Sequence, residues 1–150
     1  MERLRQSVAI FWDFENCALH SSAGGWEVDN IRRIAQEYGA IKIFKAYLEI
    51  SSQSSPKTLN LRSELQSCGV SLTDCPHNGR KDVADKMMLV DMLTFALDTE
   101  APATIVLLSG DRDFVYALSV LRLRSYHTVV IAPKQAHPKF NFRASEVLDW

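Results

Sequence analysis

Val8-Ala9-Ile10-Phe11-Trp12 runs without a polar residue into Asp13-Phe14-Glu15-Asn16. A short apolar run rich in β-branched and aromatic side chains reads as a strand buried on both faces. Such strands belong to parallel sheets covered on each side by helices. Asp13 then falls where the strand ends. Ligands of open parallel sheets bind just outside the carboxyl ends of the strands. The chain is therefore read for other carboxylates reaching that edge.

Strand and helix patterns alternate from there on. A helix is expected over residues 28–38, with Val28, Ile31, Ile34 and Ala35 on one face and Gly39 ending it. A strand follows at 41–48. Pro56 suits the first turn of a helix running to about Ser67, with Leu59, Leu61 and Leu65 as core candidates. A short strand at 70–73, a long helix at 83–98 and a buried strand at 103–108 come next. A helix at 114–124 and a strand at 127–132 complete the series, and residues 133–150 read as a mixed tail. This alternation specifies an α/β fold with three layers, a parallel sheet of about five strands between two layers of helices.

A chain of 150 residues that is 47% hydrophobic is the size of one domain. The expectation is a single domain over 1–150, with its core at about 7–148, as a piece of a longer protein. The formal net charge of −1 neither requires nor excludes nucleic acid. Three sparse cysteines, Cys17, Cys68 and Cys75, suit reduced thiols inside a cell. The cytoplasm is the expected compartment, ahead of the nucleus. The apolar runs are too short for a membrane span, and the one near the start is too short for a secretory signal. Gly24-Gly25 lacks the following Lys and Ser/Thr of a phosphate-cradling loop.

Three separated segments bring acids toward one edge. Asp13 ends the first strand, and Asp111 and Asp113 follow the fourth. Asp82 and Asp85 open the long helix. At about 100° per residue, Asp85 lines up with Met88, Leu89, Met92 and Ala96, the stripe that faces the core. Asp91 falls about 120° away and reads as a surface acid. Two readings stand side by side. Asp82 with Asp85 matches a capping box, and Asp111 or Asp113 suits a helix N-terminus. Alternatively, the acids form one site. Semi-buried carboxylates need a cation or hydrogen-bond partners, and all-oxygen ligands favour Mg2+ or Mn2+ over zinc. Such ions serve phosphodiester hydrolysis. Asn16 supplies an amide to orient water or a phosphate oxygen, and Ser109 a hydroxyl to fix a carboxylate.

Three blocks of this chain, Phe11-Trp-Asp-Phe-Glu-Asn16, Lys81-Asp-Val-Ala-Asp-Lys-Met-Met-Leu-Val-Asp-Met92 and Leu108-Ser-Gly-Asp-Arg-Asp-Phe114, resemble the signature blocks of NYN domains, which are PIN-like ribonuclease domains. The likeness runs from about Val8 to Val147. It implies a Rossmann-like (PIN-like) sheet in the order 3-2-1-4-5 and metal-dependent endonuclease chemistry on single-stranded RNA. It implies a metal site of Asp13, Asp85, Asp111 and Asp113, with Asn16 beside it. Asp82 matches no acid of that pattern and is kept as a supporting residue with Ser109.

RNA requires a basic approach to an acidic site. Arg80, Lys81, Arg112 and Lys134 are the candidates for it. Lys139 and Phe142 are better read as surface and packing residues. The histidines read as incidental, and Cys68, Cys75 and His77 fit no common zinc knuckle. The alternative to a nuclease is a non-catalytic module of the same fold, binding RNA or a protein partner. Neighbouring domains and a homodimer are compatible with either reading, and no membrane partner is expected. An Asp-based phosphatase fits less well, because Asp13-Phe-Glu lacks the second Asp.

Overall fold

The computed structural model describes residues 6–18, 24–52, 55–80, 82–133 and 143–149. Its strands are β1 (Ser7–Asp13), β2 (Ala40–Leu48), β3 (Ser71–Asp74), β4 (Thr104–Leu108), β5 (His127–Ala132) and β6 (Glu146–Asp149). Its helices are α1 (Gly24–Gln36), α2 (Pro56–Ser67), α3 (Val83–Asp98) and α4 (Val115–Leu123). All strand pairs are parallel, in the order β3-β2-β1-β4-β5-β6. The order 3-2-1-4-5 is present, and a sixth strand extends it. β6 comes from the tail read as mixed. Thr128 and Ser145 hold it by reciprocal hydrogen bonds: Thr128 N donates to Ser145 Oγ at 3.1 Å, and Ser145 N donates to Thr128 Oγ1 at 3.0 Å.

The sheet separates two apolar cores. Phe11, Met88, Met92, Phe95, Leu107, Leu118 and Leu121 pack on one face, beneath α3 and α4. Trp12, Val28, Ile31, Leu48, Leu65 and Leu108 pack on the other, beneath α1 and α2. β1 and β4 supply both cores by alternation, and both strands are almost wholly buried. Ser55 caps α2 by accepting from Thr58 N. Leu59, read as a core candidate, is instead exposed, while Leu65 is fully buried. Among the described residues, no helix is long and apolar enough to cross a membrane.

Replacing Leu107, at 0% exposure, by Ala should cost about 2–5 kcal/mol in urea unfolding. Leu97→Ala, at a position 86% exposed, should stay within about 0.5 kcal/mol. Equal losses at both positions would contradict this division between core and surface.

Candidate active site

β1 and β4 run in register, Trp12 beside Leu108. The next residues, Asp13 and Ser109, therefore leave the sheet side by side. Ser109 Oγ donates to Asp13 Oδ2 at 3.0 Å. The turn after β1 closes through Cys17 N donating to Asp13 O, and Trp12 Nε1 donates to Cys17 O at 2.8 Å. This turn brings Asn16 back, and its amide donates to Asp13 Oδ2 at 2.8 Å. Asp13 is 1% exposed. Its Oδ1 is buried and has no hydrogen-bond partner among the described residues. Burial pushes its carboxyl above the ordinary range, against the hydrogen bonds from Asn16 and Ser109, and the charge of Asp111 adds to the rise.

Asp85, Asp111 and Asp113 converge from α3 and from the turn after β4. One carboxylate oxygen of each lies within 4.8 Å of the others. Ala84, Met88, Met92 and Phe95 bury one side of α3. Asp85, half-buried, stands at the start of that side. Burial, then a hydrogen bond with Asp111, then the charges of Asp111, Asp13 and Asp113, raise its carboxyl to about 7. Asp111 precedes a single 3-10 turn, Arg112–Phe114, and its Oδ1 accepts from Asp113 N at 2.9 Å. Ser109 Oγ accepts from Asp111 N at 3.1 Å. Three hard oxygen donors this close together are compatible with a divalent cation. Asp13 is near enough for its charge to act on Asp85, but it is not one of the three acids that meet.

The other site candidates lie as follows. Asp82 precedes α3 but makes no side-chain cap hydrogen bond. It pairs instead with Lys86 at 2.9 Å, and that hydrogen bond lowers its carboxyl. The capping-box reading is therefore corrected, and Asp82 stays outside the converging acids. Asp91 is not a free surface acid. It accepts from Lys45 Nζ at 2.9 Å and Tyr47 OH at 2.6 Å. Arg80 and Arg112 are exposed. Lys81 and Lys134, with Lys139 and Phe142, lie outside the described residues.

A model of the NYN domain family matches residues 7–149. The chain is 30% identical over 146 residues to meiosis regulator and mRNA stability factor 1 of Bos taurus and to that of Xenopus tropicalis. The mouse protein of that name is 28% identical. Each match covers 94% of this chain and only 8% of the relative. In fold, the chain is similar to a crystal structure of a Vibrio parahaemolyticus protein of unknown function. The TM-score is 0.74 at 18% identity, over 97% of this chain and 93% of the other.

The raised carboxyls make stability depend on pH with a definite sign. An acid whose folded pKa lies above its unfolded value stabilises most below the unfolded pKa. That contribution is lost as pH rises through the folded pKa. For Asp85 the window runs from 3.8 to about 7. In EDTA, Asp85→Asn should therefore raise the melting temperature increasingly from about pH 4 to about pH 8. A gain that is flat across that range would contradict the assignment.

Proposed function

This chain belongs to the NYN domain family, and from that premise we propose that it is a metal-dependent endoribonuclease acting on single-stranded RNA. The observation that carries the reading is the meeting of Asp85, Asp111 and Asp113 beside the buried, half-satisfied carboxylate of Asp13. The relatives' name, which refers to mRNA stability, supports RNA as the substrate class. The free thiols of Cys17, Cys68 and Cys75 suit a reducing compartment, here taken as the cytoplasm.

In this reading Asp13, Asp85, Asp111 and Asp113 hold Mg2+ or Mn2+. When bound, the ion lowers the pKa of a water and neutralises charge on the leaving oxygen. The chain's own groups prepare that arrangement. Asn16 and Ser109 pin Asp13 Oδ2, which leaves Oδ1 as its presenting atom. Asp111 is fixed by the backbone of the turn it precedes. Asp113 stands exposed at the rim, where it can accept a hydrogen bond from water. Asp85 must lose its proton before it serves as a ligand, so cleavage should rise with pH up to about 7. Arg80, Lys81, Arg112 and Lys134 would take phosphates along the approach.

The test is cleavage of a labelled single-stranded RNA with Mn2+. EDTA should abolish it. Asp13→Asn and Asp85→Asn should each lower the rate about 100-fold or more, at least the effect of losing an outer-shell partner. Full cleavage by either variant overturns the proposal. No cleavage by the folded protein would make it an RNA- or protein-binding module. For RNA binding, Arg80→Ala and Arg112→Ala should each reduce the salt slope by about 1 without changing sequence preference. An unchanged slope would remove that arginine from the interface.

A further inference from the structure

A second group of metal-ligating side chains lies at the same edge of the sheet, toward β2 and β3. It joins three elements. Glu15 sits in the turn after β1, Glu49 directly follows β2, and His77 lies in the loop after β3. His77 read as incidental in the sequence, because nothing in its spacing pointed to two glutamates from distant segments. Its Nε2 stands 2.8 Å from both carboxylate oxygens of Glu15 and 3.5 Å from Glu49 Oε2. Glu15 Oε1 also accepts from Glu49 N at 2.9 Å. One donor atom of each side chain lies within 4.8 Å of the others. The side chains are 22%, 29% and 26% exposed for His77, Glu15 and Glu49. An ion could therefore enter, and water could complete its coordination.

We propose that Glu15, Glu49 and His77 form a mixed nitrogen–oxygen site for a divalent transition-metal ion of the Zn2+, Co2+ or Mn2+ class. It is distinct from the all-oxygen aspartate cluster and holds whether or not the chain cleaves RNA. Two donors each about 2.1 Å from a tetrahedral ion lie about 3.4 Å apart. The observed 2.8 and 3.5 Å reach that separation with sub-ångström adjustment.

His77 Nδ1 is buried without a hydrogen-bond partner among the described residues, and Nε2 is the ring atom turned toward the two carboxylates. A neutral ring serves there either as an Nε2–H donor to Glu15 or as an Nε2 ligand to an ion, and metal titration separates the two. The ion would supply the positive charge on the side where the two carboxylates lie. Bound, it would cross-link the ends of β1 and β2 to the loop before α3. It would thereby brace the turn that delivers Asn16 to Asp13.

The test is titration of Co2+ into the metal-stripped chain, read by visible absorption, with Asp85→Asn as the background that disables the aspartate cluster. Binding should persist in that background. His77→Gln and Glu49→Gln should each weaken it by more than the roughly 10–100-fold that losing an outer-shell partner costs. Circular dichroism in EDTA checks that each variant is folded. In the unaltered chain, Zn2+ should shift the nitrogen NMR signal of His77 Nε2, which needs no variant. An unmoved signal overturns the site and leaves His77 as an ion-pair residue only. So does binding that disappears with Asp85→Asn alone, or binding that His77→Gln leaves unchanged.

Discussion

Asp13 is a carboxylate at 1% exposure at the end of one of the two central strands, and the arrangement of this edge answers the cost of burying it. A buried acid without partners is expensive. Two donors meet the demand on one oxygen only, Asn16 from the turn after β1 and Ser109 from the end of β4. The Ser109 bond exists because β1 and β4 pair with Trp12 beside Leu108. A one-residue slip would turn every side chain of β1 to the opposite core. The two cores therefore fix the register, and the register fixes the first hydrogen bond of the site.

The acids that meet near Asp13 work against stability. Asp85, Asp111 and Asp113 crowd like charges together, and Asp85 responds by holding its proton up to about 7. The fold carries this load elsewhere, in Phe11, Met88, Met92 and Leu107 on one side of the sheet and Trp12, Ile31 and Leu65 on the other. A cation at the cluster would relieve the repulsion, because it binds only where the folded chain assembles the ligands.

The central strands were legible in the sequence because a strand covered on both faces needs a nearly unbroken apolar run. β1, β4 and β5 have one. β6 does not. It is four residues long and mostly exposed, and the Thr128–Ser145 pairing that secures it is a long-range contact with no local signature. The buried stripe of α3 is Ala84, Met88, Met92 and Phe95, and Asp85 and Asp91 flank it half-buried on opposite sides. The stripe expected from the sequence, through Leu89 and Ala96, was rotated from this one, and it placed Asp91 too far toward the surface. Lys45 and Tyr47 reach Asp91 from β2 and make it a partner of the sheet. Asp82 shows the opposite failure, because a capping pattern was present and Lys86, four residues on, took the carboxylate instead. The Glu15–Glu49–His77 meeting lay beyond spacing arguments, since it depends on which strand ends are neighbours.

Capping and ligation looked like rival explanations for the acids after β4, but a carboxylate has two oxygens and can do both. Asp111 gives Oδ1 to the backbone of the turn it precedes, which fixes its rotamer. Asp13 likewise gives Oδ2 to Asn16 and Ser109, while its buried Oδ1 is left without a hydrogen-bond partner among the described residues. One oxygen tied to the protein and the other presented is how a ligand is held in place before anything binds. Asp85 differs, because the hydrogen bond that raises its carboxyl runs to another acid, Asp111. A proton between those two oxygens fills the role that a cation would take. A cation bound there, as proposed, would compete with that proton for one position, so the protonation of Asp85 would govern loading.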